Sequence, residues 1–237
     1  MAAPFFYIDS WSPGQQEITL DEDNSRHVIQ VLRMRPGEAL RLTDGKGALL
    51  DAMILDDHKK KCRAAIKSSA TQPPRPNKVT IAISPVKNTA RFEWFLEKAT
   101  EIGVSTIIPL ICERTERQSI RTDRLRSILV SAMLQSQQAW LPTLAEPTPL
   151  SALLTQTPAG KTYIAHLLEA PRATDSLAAI PPAKTTNPII LIGPEGDFTP
   201  KEVEAALSAH FIPVSLGHNR LRTETAGIVA ATLLCIQ

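Results

Sequence analysis

The sequence predicts an α/β protein in which a small all-β barrel precedes a larger domain with a mostly parallel sheet. A proline-rich segment, ATQPPRPNK at residues 70–78, separates two stretches of different character. Proline fixes its own φ angle and restricts the preceding residue to extended geometry, so this segment is typical of a linker. Before it, short apolar runs alternate with turn residues, which predicts short strands. After it, apolar runs alternate with longer helical patterns, which predicts βαβ units.

The N-terminal stretch contains five apolar runs that predict strands. They cover residues 5–8, 17–20, 39–44, 47–55 and 62–66. Glycine and proline between the runs, as in residues 12–14 and 44–47, are turn residues. One helix is predicted at 25–34, because His27, Val28, Val31 and Leu32 recur at helical spacing.

The C-terminal stretch alternates predicted strands with predicted helices. The strands cover residues 79–83, 105–111, 162–167, 188–193 and 213–217, and the helices cover 91–102, 122–138, a segment from Thr199 and a segment from Thr223 onward. Phe92, Phe95, Leu96, Ala99 and Ile102 form one apolar stripe on the first of these helices. The third helix opens with Thr199, Pro200 and Glu202, the pattern of a capping box with proline in the first turn.

Composition excludes several classes of protein. The chain has 237 residues, 43% of them hydrophobic and 21% charged, with 10 glycines and 3 cysteines. These values exclude collagen, low-complexity disorder and a disulfide scaffold, and they favour a reducing cytoplasmic location. The longest apolar run, residues 226–236, is too short to cross a bilayer, and the first residues lack the pattern of a signal peptide. The five histidines and three cysteines show no metal-binding spacing, so no metal site is predicted.

Charge gives a weaker signal. The net charge is only +2, but arginines cluster in two places. The clusters are Arg114, Arg117, Arg121, Arg124 and Arg126, and Arg26, Arg33, Arg35 and Arg41. Charge runs are most often solvated faces, yet two clusters in separate domains raise the prospect of contact with nucleic-acid phosphates.

Two strand ends carry the sharpest local motifs. The segment IILIGPEGDF at residues 189–198 is an apolar strand that stops in a glycine and proline loop before a capped helix. Ligands bind at the carboxyl ends of parallel strands, so this is a candidate ligand loop; the alternative is a plain connection. It matches neither a GxGxxG nor a Walker A motif. The second segment, SLGHNRLRTETAG at 215–227, is a helix entry suited to an anion or carbonyl oxygen, or simply a helix cap.

Four segments in order carry a resemblance to a known family. They are HVIQVLRMRPGE at 27–38, FEWFLEKATEIGVSTIIPLICERT at 92–115, LIGPEGDFTPKEVEAA at 191–206 and VSLGHNRLRTETA at 214–226. The chain resembles, over nearly its whole length, the RsmE family of SPOUT methyltransferases, which methylate N3 of a uridine in 16S rRNA. The resemblance implies a PUA-like β-barrel for RNA at 1–72, a SPOUT methyltransferase domain with a trefoil knot at 73–237, and a homodimer.

The resemblance also implies S-adenosylmethionine as cofactor, bound by three loops. The implied cofactor residues are His166, Leu167, Ile192, Gly193, Pro194, Glu195, Gly196, Leu216, Gly217, Leu221 and Thr223. The family usually has glycine where this sequence has Asp197, and Asn219, Arg220 and Leu134 also depart from its pattern.

Methylation of uridine N3 requires charge stabilisation, because N3 carries a proton between two carbonyl groups and is a poor nucleophile until deprotonated. Arg222, with Arg114 as second candidate, is expected to donate to a carbonyl oxygen. Glu224 is expected to orient Arg222 rather than act as the base. The expected RNA contacts are Arg26, Arg33, Arg35, Lys87, Arg91 and Arg117.

The partner is then 16S rRNA, free or in the assembled small subunit. Residues 1–77 hold 11 Lys and Arg against 10 Asp and Glu, and residues 78–237 hold 15 against 14, so binding requires arginines segregated on one face. Two alternatives stay open: another α/β enzyme that binds a nucleotide or small anion at the GPEG loop, and a non-catalytic RNA-binding or ribosome-assembly protein.

Overall fold

The chain divides into two compact units. The computed structural model describes residues 3–116, 120–155, 160–167, 175–179 and 187–236. The N-terminal unit comprises Met1–Pro74 with Met133–Leu141, and the C-terminal unit comprises Arg75–Ala132 with Pro142–Gln237. The α/β class predicted from the sequence is confirmed.

The N-terminal unit is built on a five-stranded sheet. Its strands are β1 (Phe5–Tyr7), β2 (Glu17–Thr19), β3 (Ala39–Thr43), β4 (Ala48–Ile54) and β5 (Arg63–Thr71), in the order β1-β3-β4-β5-β2. All five predicted strands are therefore present, and β5 runs into the segment predicted as linker. β1 and β3 pair in parallel, and the other neighbours are antiparallel. On β4 buried residues alternate with more exposed ones, as expected for a sheet with one face on a core.

The predicted helix at 25–34 is wrong in its bounds and type. Helix α1 spans Glu22–Arg26 and is followed directly by a π-helix at His27–Val31. It begins early because the Asp21 carboxylate accepts a hydrogen bond from the backbone N–H of Asn24 at 2.7 Å, which caps the first turn. The wider π turn also changes which residues face the core: Val28 is buried, whereas Val31 is 66% exposed.

The C-terminal unit contains an eight-stranded sheet. Its strands are β6 (Thr80–Ile83), β7 (Thr106–Ile111), β8 (Thr143–Leu144), β9 (Thr148–Pro149), β10 (Thr162–Ala165), β11 (Asp175–Ser176), β12 (Ile189–Ile192) and β13 (Ile212–Ser215). The order is β11-β13-β10-β12-β6-β7-β8, with β9 also on β7, and every pair is parallel. The five predicted strands and the parallel sheet are confirmed, whereas the three two-residue strands lack a sequence signal.

Five further α-helices lie after β6 in the ranges that the structure describes. They are α2 (Thr89–Ile102), α3 (Thr122–Gln135), α4 (Leu150–Leu154), α5 (Pro200–Ser208) and α6 (Thr223–Cys235). α2 buries four of the five residues of its predicted stripe, Phe92, Phe95, Leu96 and Ala99. The capping box of α5 is confirmed, since the Thr199 hydroxyl accepts from the Glu202 N–H and the Glu202 carboxylate accepts from the Thr199 N–H.

The strand order decides where functional groups meet. β10 lies between β12 and β13, and β6 lies on the other side of β12. Because these strands are parallel, their carboxyl ends share one edge, and the loops that follow them form a crevice there. No helix in the ranges that the structure describes is long and apolar enough to cross a membrane.

Candidate functional site

A cavity of about 530 Å³ lies at the carboxyl ends of β10, β12 and β13. This volume falls within the roughly 300–1,000 Å³ typical of small-molecule sites. Its wall includes ten of the eleven predicted cofactor residues: His166, Leu167, Ile192, Gly193, Pro194, Glu195, Leu216, Gly217, Leu221 and Thr223. Gly196 is not part of that wall. Arg222, predicted as catalytic, and Arg91, predicted as an RNA contact, also line the cavity.

Side-chain hydrogen bonds join the segments around the cavity. The hydroxyl of Thr223, at the start of α6, donates to the carbonyl of Gly193 at 3.1 Å. The carboxylate of Asp197 accepts from the backbone N–H of Leu167, after β10, at 2.9 Å. The guanidinium of Arg114, after β7, donates to the carbonyl of Gly196 at 2.6 Å. The GPEG loop (193–196) and Asp197 are therefore tied to three other segments.

Asp197 has a second local role. Its φ angle is +62°, in the left-handed region that aspartate tolerates better than most residues. The second oxygen of its carboxylate accepts from the N–H of Phe198 at 2.8 Å. The ring of Phe198 accounts for the glycine at position 193, because a Cβ on Gly193 would lie 3.0 Å from that ring.

His166 presents an unused imidazole to the cavity. Both ring nitrogens are buried, and neither has a hydrogen-bond partner in the part of the chain that the structure describes. Burial lowers the pKa of His166, while the nearby Asp197 carboxylate opposes that effect. The neutral ring offers one donor and one acceptor. A bound polar group in this cavity can satisfy them.

The charged groups of the cavity are arranged differently from the expectation. Glu224, predicted to orient Arg222, has its Oε1 3.7 Å from Nε of Arg91. Nη1 of Arg91 also lies 4.0 Å from Oε1 of Glu195. Arg222 lines the cavity, and its guanidinium has no ion pair or hydrogen bond with the described residues. Arg91 is thus the ionic partner of Glu224.

The remaining predicted residues that the structure describes lie outside the cavity wall. Arg114 contacts the GPEG loop from β7, and Glu224 is buried behind the wall. Arg26 pairs with Glu22 at 2.8 Å, Arg35 with Asp57 at 3.5 Å and Lys87 with Glu116 at 3.2 Å. Exposed pairs such as these contribute about 0–1 kcal/mol to stability. Arg33 is exposed, and Arg117 lies outside the described residues.

The cysteines have the properties of structural thiols. Burial raises the pKa of the Cys62 thiol to about 11 and that of Cys112 to about 12. A thiol that stays protonated at neutral pH is a poor nucleophile and a poor metal ligand. Among the described residues, no group of three or more His, Cys, Asp and Glu side chains is placed to hold a metal ion.

Sequence reasoning missed the place of Arg91 in the cavity. The available signal was that the helix predicted from residue 91 is the next predicted element after the strand at 79–83, so Arg91 follows the carboxyl end of a predicted parallel strand. Arg91 lies in the first turn of α2, and such a position points toward that end of the sheet. Asn219 and Arg220, noted only as departures from the family pattern, also line the cavity.

Comparisons with known proteins agree with this architecture. Residues 73–235 match the family model of the RNA methyltransferase domain, and residues 20–67 match that of the RNA methyltransferase PUA domain. A probable rRNA-methyltransferase from Porphyromonas gingivalis is 41% identical with a TM-score of 0.89, covering 98% of this chain and 99% of that one.

Two further relatives are named as enzymes of one kind. A ribosomal RNA small subunit methyltransferase E from Neisseria gonorrhoeae, solved with bound S-adenosyl methionine, is 30% identical with a TM-score of 0.86, covering 97% of this chain and 95% of that one. The ribosomal RNA small subunit methyltransferase E of Mycobacterium bovis is 30% identical, covering 97% of this chain and 90% of the relative. The chain belongs to the ribosomal RNA small subunit methyltransferase E family of RNA methyltransferases.

Proposed function

We propose that this protein transfers a methyl group from S-adenosylmethionine to N3 of a uridine in the 16S rRNA of the small ribosomal subunit. The observation that carries the proposal is the cavity at the carboxyl ends of β10, β12 and β13, whose wall holds ten of the eleven residues implied by the family resemblance. The Neisseria gonorrhoeae relative, solved with S-adenosyl methionine, is similar over 97% of this chain.

The residues of the cavity fit this cofactor. Its adenine needs an apolar slot, and the side chains of Leu167, Ile192, Leu216 and Leu221 line the cavity. Its ribose and amino-acid groups need polar partners, which the free ring nitrogens of His166 and the backbone of the loops can supply. Gly217 has a φ angle of +127°, a backbone conformation that favours glycine, and a Cβ built there would meet no atom within 4 Å.

When bound, the cofactor supplies a methyl group that is bonded to a positively charged sulfur. The sulfur is the leaving group, and it is a good one. The protein must orient the uracil ring and stabilise negative charge as N3 loses its proton to water at the mouth of the cavity. In the proposed mechanism Arg222 donates to the O2 or O4 carbonyl oxygen as this charge develops. Arg114 is the second candidate, although its hydrogen bond to Gly196 engages part of its guanidinium.

RNA binding in this proposal uses basic residues of both units. Arg26, Arg33 and Arg35 belong to the N-terminal unit, and Lys87, Arg91 and Arg117 belong to the C-terminal unit. The exposure of Arg33, Arg35 and Lys87 supports a role in phosphate contact. Affinity for RNA is then expected to fall steeply with salt, because each neutralised phosphate releases counterions.

The finer architecture is also a proposal. By family resemblance, the N-terminal sheet is a PUA-like barrel at 1–72, and the SPOUT domain at 73–237 contains a trefoil knot. A homodimer is supported by α6, where Ile228, Val229 and Leu233 are only half-buried in one chain. Sedimentation equilibrium tests the dimer, and a mass of 25.9 kDa at micromolar concentration would contradict it.

The decisive experiment combines labelled methyl transfer with base mapping. Small subunits that lack uridine N3 methylation are incubated with the protein and labelled S-adenosylmethionine, and the modified base is then located. We expect label on N3 of one uridine, and none in subunits already methylated there. Binding of RNA without transfer would favour the non-catalytic alternative. A calorimetric titration with no heat from S-adenosylmethionine would favour an enzyme with another ligand.

A further inference from the structure

The carboxylate of Glu224 is buried with only part of its hydrogen-bonding capacity used. The residue is 6% exposed, and its Oε2 has no hydrogen-bond partner among the described residues. A buried carboxylate in this state is costly, although its place in the first turn of α6 offsets some of that cost through the helix dipole. Its one ionic partner within the described ranges is Arg91. An apolar residue at position 224 would avoid this cost. The carboxylate is therefore expected to have a function that depends on its charge.

Arg91 is held from two sides. Glu224 faces its Nε at 3.7 Å from α6, and Glu195 faces its Nη1 at 4.0 Å from the GPEG loop. The two carboxylates face two different nitrogens and attract the guanidinium toward this position. Both distances exceed those of hydrogen bonds, so the N–H groups of Arg91 stay available to a ligand.

The other arginines of the cavity differ from Arg91. Arg220 and Arg222 line the same wall, and neither has an ion pair with the residues that the structure describes. A donor fixed before the reaction stabilises developing charge without reorganisation, whereas an unrestrained side chain must first be ordered. Among these three side chains, Arg91 is the one that has carboxylate partners in the described residues before substrate binds.

We infer that Arg91 is a further catalytic residue of the methyl-acceptor site and that Glu224 is its positioning residue. This inference rests on the proposed function. Uridine N3 lies between two carbonyl oxygens, and both gain negative charge when the N3 proton leaves to water. Arg91 donates to one of these oxygens, which leaves the other for Arg222. The N3 electron pair then forms the bond to the methyl carbon, and the carbon–sulfur bond breaks with its electrons on sulfur.

The test is single-turnover methyl transfer to unmethylated small subunits at saturating cofactor and subunit, from pH 6.5 to 9.5. We expect Arg91→Ala to slow transfer about 100-fold at neutral pH, with affinities for cofactor and subunits within about threefold of the original. The deficit should shrink as pH rises, because the imide then ionises without help. Arg91→Lys should recover part of the rate, and Glu224→Gln should slow transfer about tenfold with the same pH trend.

The pH profile must be interpreted with the other ionisable groups around Arg91 in view. These are Glu224 on α6, Glu195 and Asp197 in and after the GPEG loop, His166 after β10, and Arg220 and Arg222 before α6. Arg91→Lys keeps a positive charge beside these groups, so a difference between the pH profiles of Arg91→Ala and Arg91→Lys separates loss of the charge from loss of the guanidinium.

Glu93→Gln is the matched control. Glu93 lies on the same helix and pairs with Arg124, outside the cavity wall, so its loss should leave the rate and its pH dependence unchanged. A normal rate in Arg91→Ala, or a loss confined to subunit affinity and its salt dependence, would overturn the inference and leave Arg91 as a phosphate contact. Absence of transfer by the unaltered protein would instead overturn the proposed function itself.

Discussion

The hydroxyl of Thr223 donates a hydrogen bond to the carbonyl oxygen of Gly193 at 3.1 Å. The two residues come from different segments of the cavity wall: Gly193 directly follows β12 and begins the GPEG loop, and Thr223 begins α6. Thr223 is 5% exposed, so the bond is shielded from water. One buried hydrogen bond therefore joins the GPEG loop to the helix that follows the last loop of the site.

Replacing Thr223 with valine keeps the shape of the side chain and removes the donor. The buried Gly193 carbonyl then loses its side-chain partner, which should lower the free energy of unfolding by about 1–3 kcal/mol. The GPEG loop is also released, so we expect affinity for S-adenosylmethionine to fall about tenfold, roughly 1.4 kcal/mol. Urea denaturation and calorimetry measure the two effects.

Thr232→Val is the control for this change. Thr232 lies on the same helix, and its hydroxyl donates to the carbonyl of Ile228 at an exposed position. Thr232→Val should change neither the free energy of unfolding nor the affinity for S-adenosylmethionine appreciably. Equal losses from both variants would show that the Thr223–Gly193 bond has no special part in the site.

Much of this fold was predictable because its signals are local. The stripe on α2 places Phe92 and Phe95 in the core at helical spacing, and the Thr199–Glu202 box marks the start of α5. The early start of α1 at Glu22 also has a local signal, a capping Asp21 followed by an acidic first turn, which the apolar spacing of His27 to Leu32 obscured. Because this segment forms a π-helix and not an α-helix, apolar residues at α-helical spacing predict the wrong set of buried residues.

The internal contacts of the site were not predictable from one sequence. The pairing of Arg91 with Glu224 joins α2 to α6, and it depends on β12 lying beside β6 in the sheet. Strand order is set by long-range packing, which leaves no short-range pattern in the chain. Proximity along the sequence therefore suggested Arg222 as the partner of Glu224, and the structure places Arg91 there.

Asp197 is expected to stabilise the cavity through its bond to the Leu167 N–H. Asp197→Ala removes that acceptor and also places alanine at a φ angle of +62°, which costs about 1–2 kcal/mol. Asp197→Gly removes the acceptor without backbone strain. We therefore expect both variants to bind S-adenosylmethionine more weakly in calorimetry, and the alanine variant to lose more stability than the glycine variant. Unchanged affinity in Asp197→Gly would contradict the role of this bond.

His166 should make stability depend on pH. Burial lowers its pKa in the folded protein below the ordinary value of about 6.5 that applies when the chain is unfolded. Between the two pKa values the unfolded chain binds more protons, so the free energy of unfolding rises with pH across that window and falls as pH drops through it. We expect urea denaturation to show a larger loss from pH 7.5 to 5.5 in the original protein than in His166→Gln.

His218→Gln provides the comparison for His166. His218 is exposed, and the substitution is the same. The free energy of unfolding of His218→Gln should depend on pH in the same way as that of the original protein. If His166→Gln did so too, the buried imidazole would have no measurable linkage to folding.

Arg33 allows the proposed RNA contact to be tested without straining the backbone. Its φ angle is +57°, so Arg33→Asn, which tolerates this region, removes the charge with little conformational cost. If Arg33 neutralises one phosphate, the slope of log affinity against log salt for RNA should become shallower by about 0.7–0.9. Lys201→Ala is the control, because it removes one charge from an exposed position on α5 that is not among the proposed RNA contacts. Its slope of log RNA affinity against log salt should match that of the original protein.

Gly227 is a buried residue of α6. A Cβ at this position would be 2.6 Å from Cε2 of Phe95 and 2.8 Å from Cδ1 of Ile83. Helix propensity alone favours alanine over glycine by about 1 kcal/mol, but overpacking a core typically costs about 1–3 kcal/mol. Since both neighbours are fully buried, the steric cost should dominate, and Gly227→Ala should lower the midpoint of thermal unfolding. Thr232→Ala, exposed on the same helix, should leave that midpoint nearly unchanged, and a stabilised Gly227→Ala variant would show that α6 can shift away from Phe95.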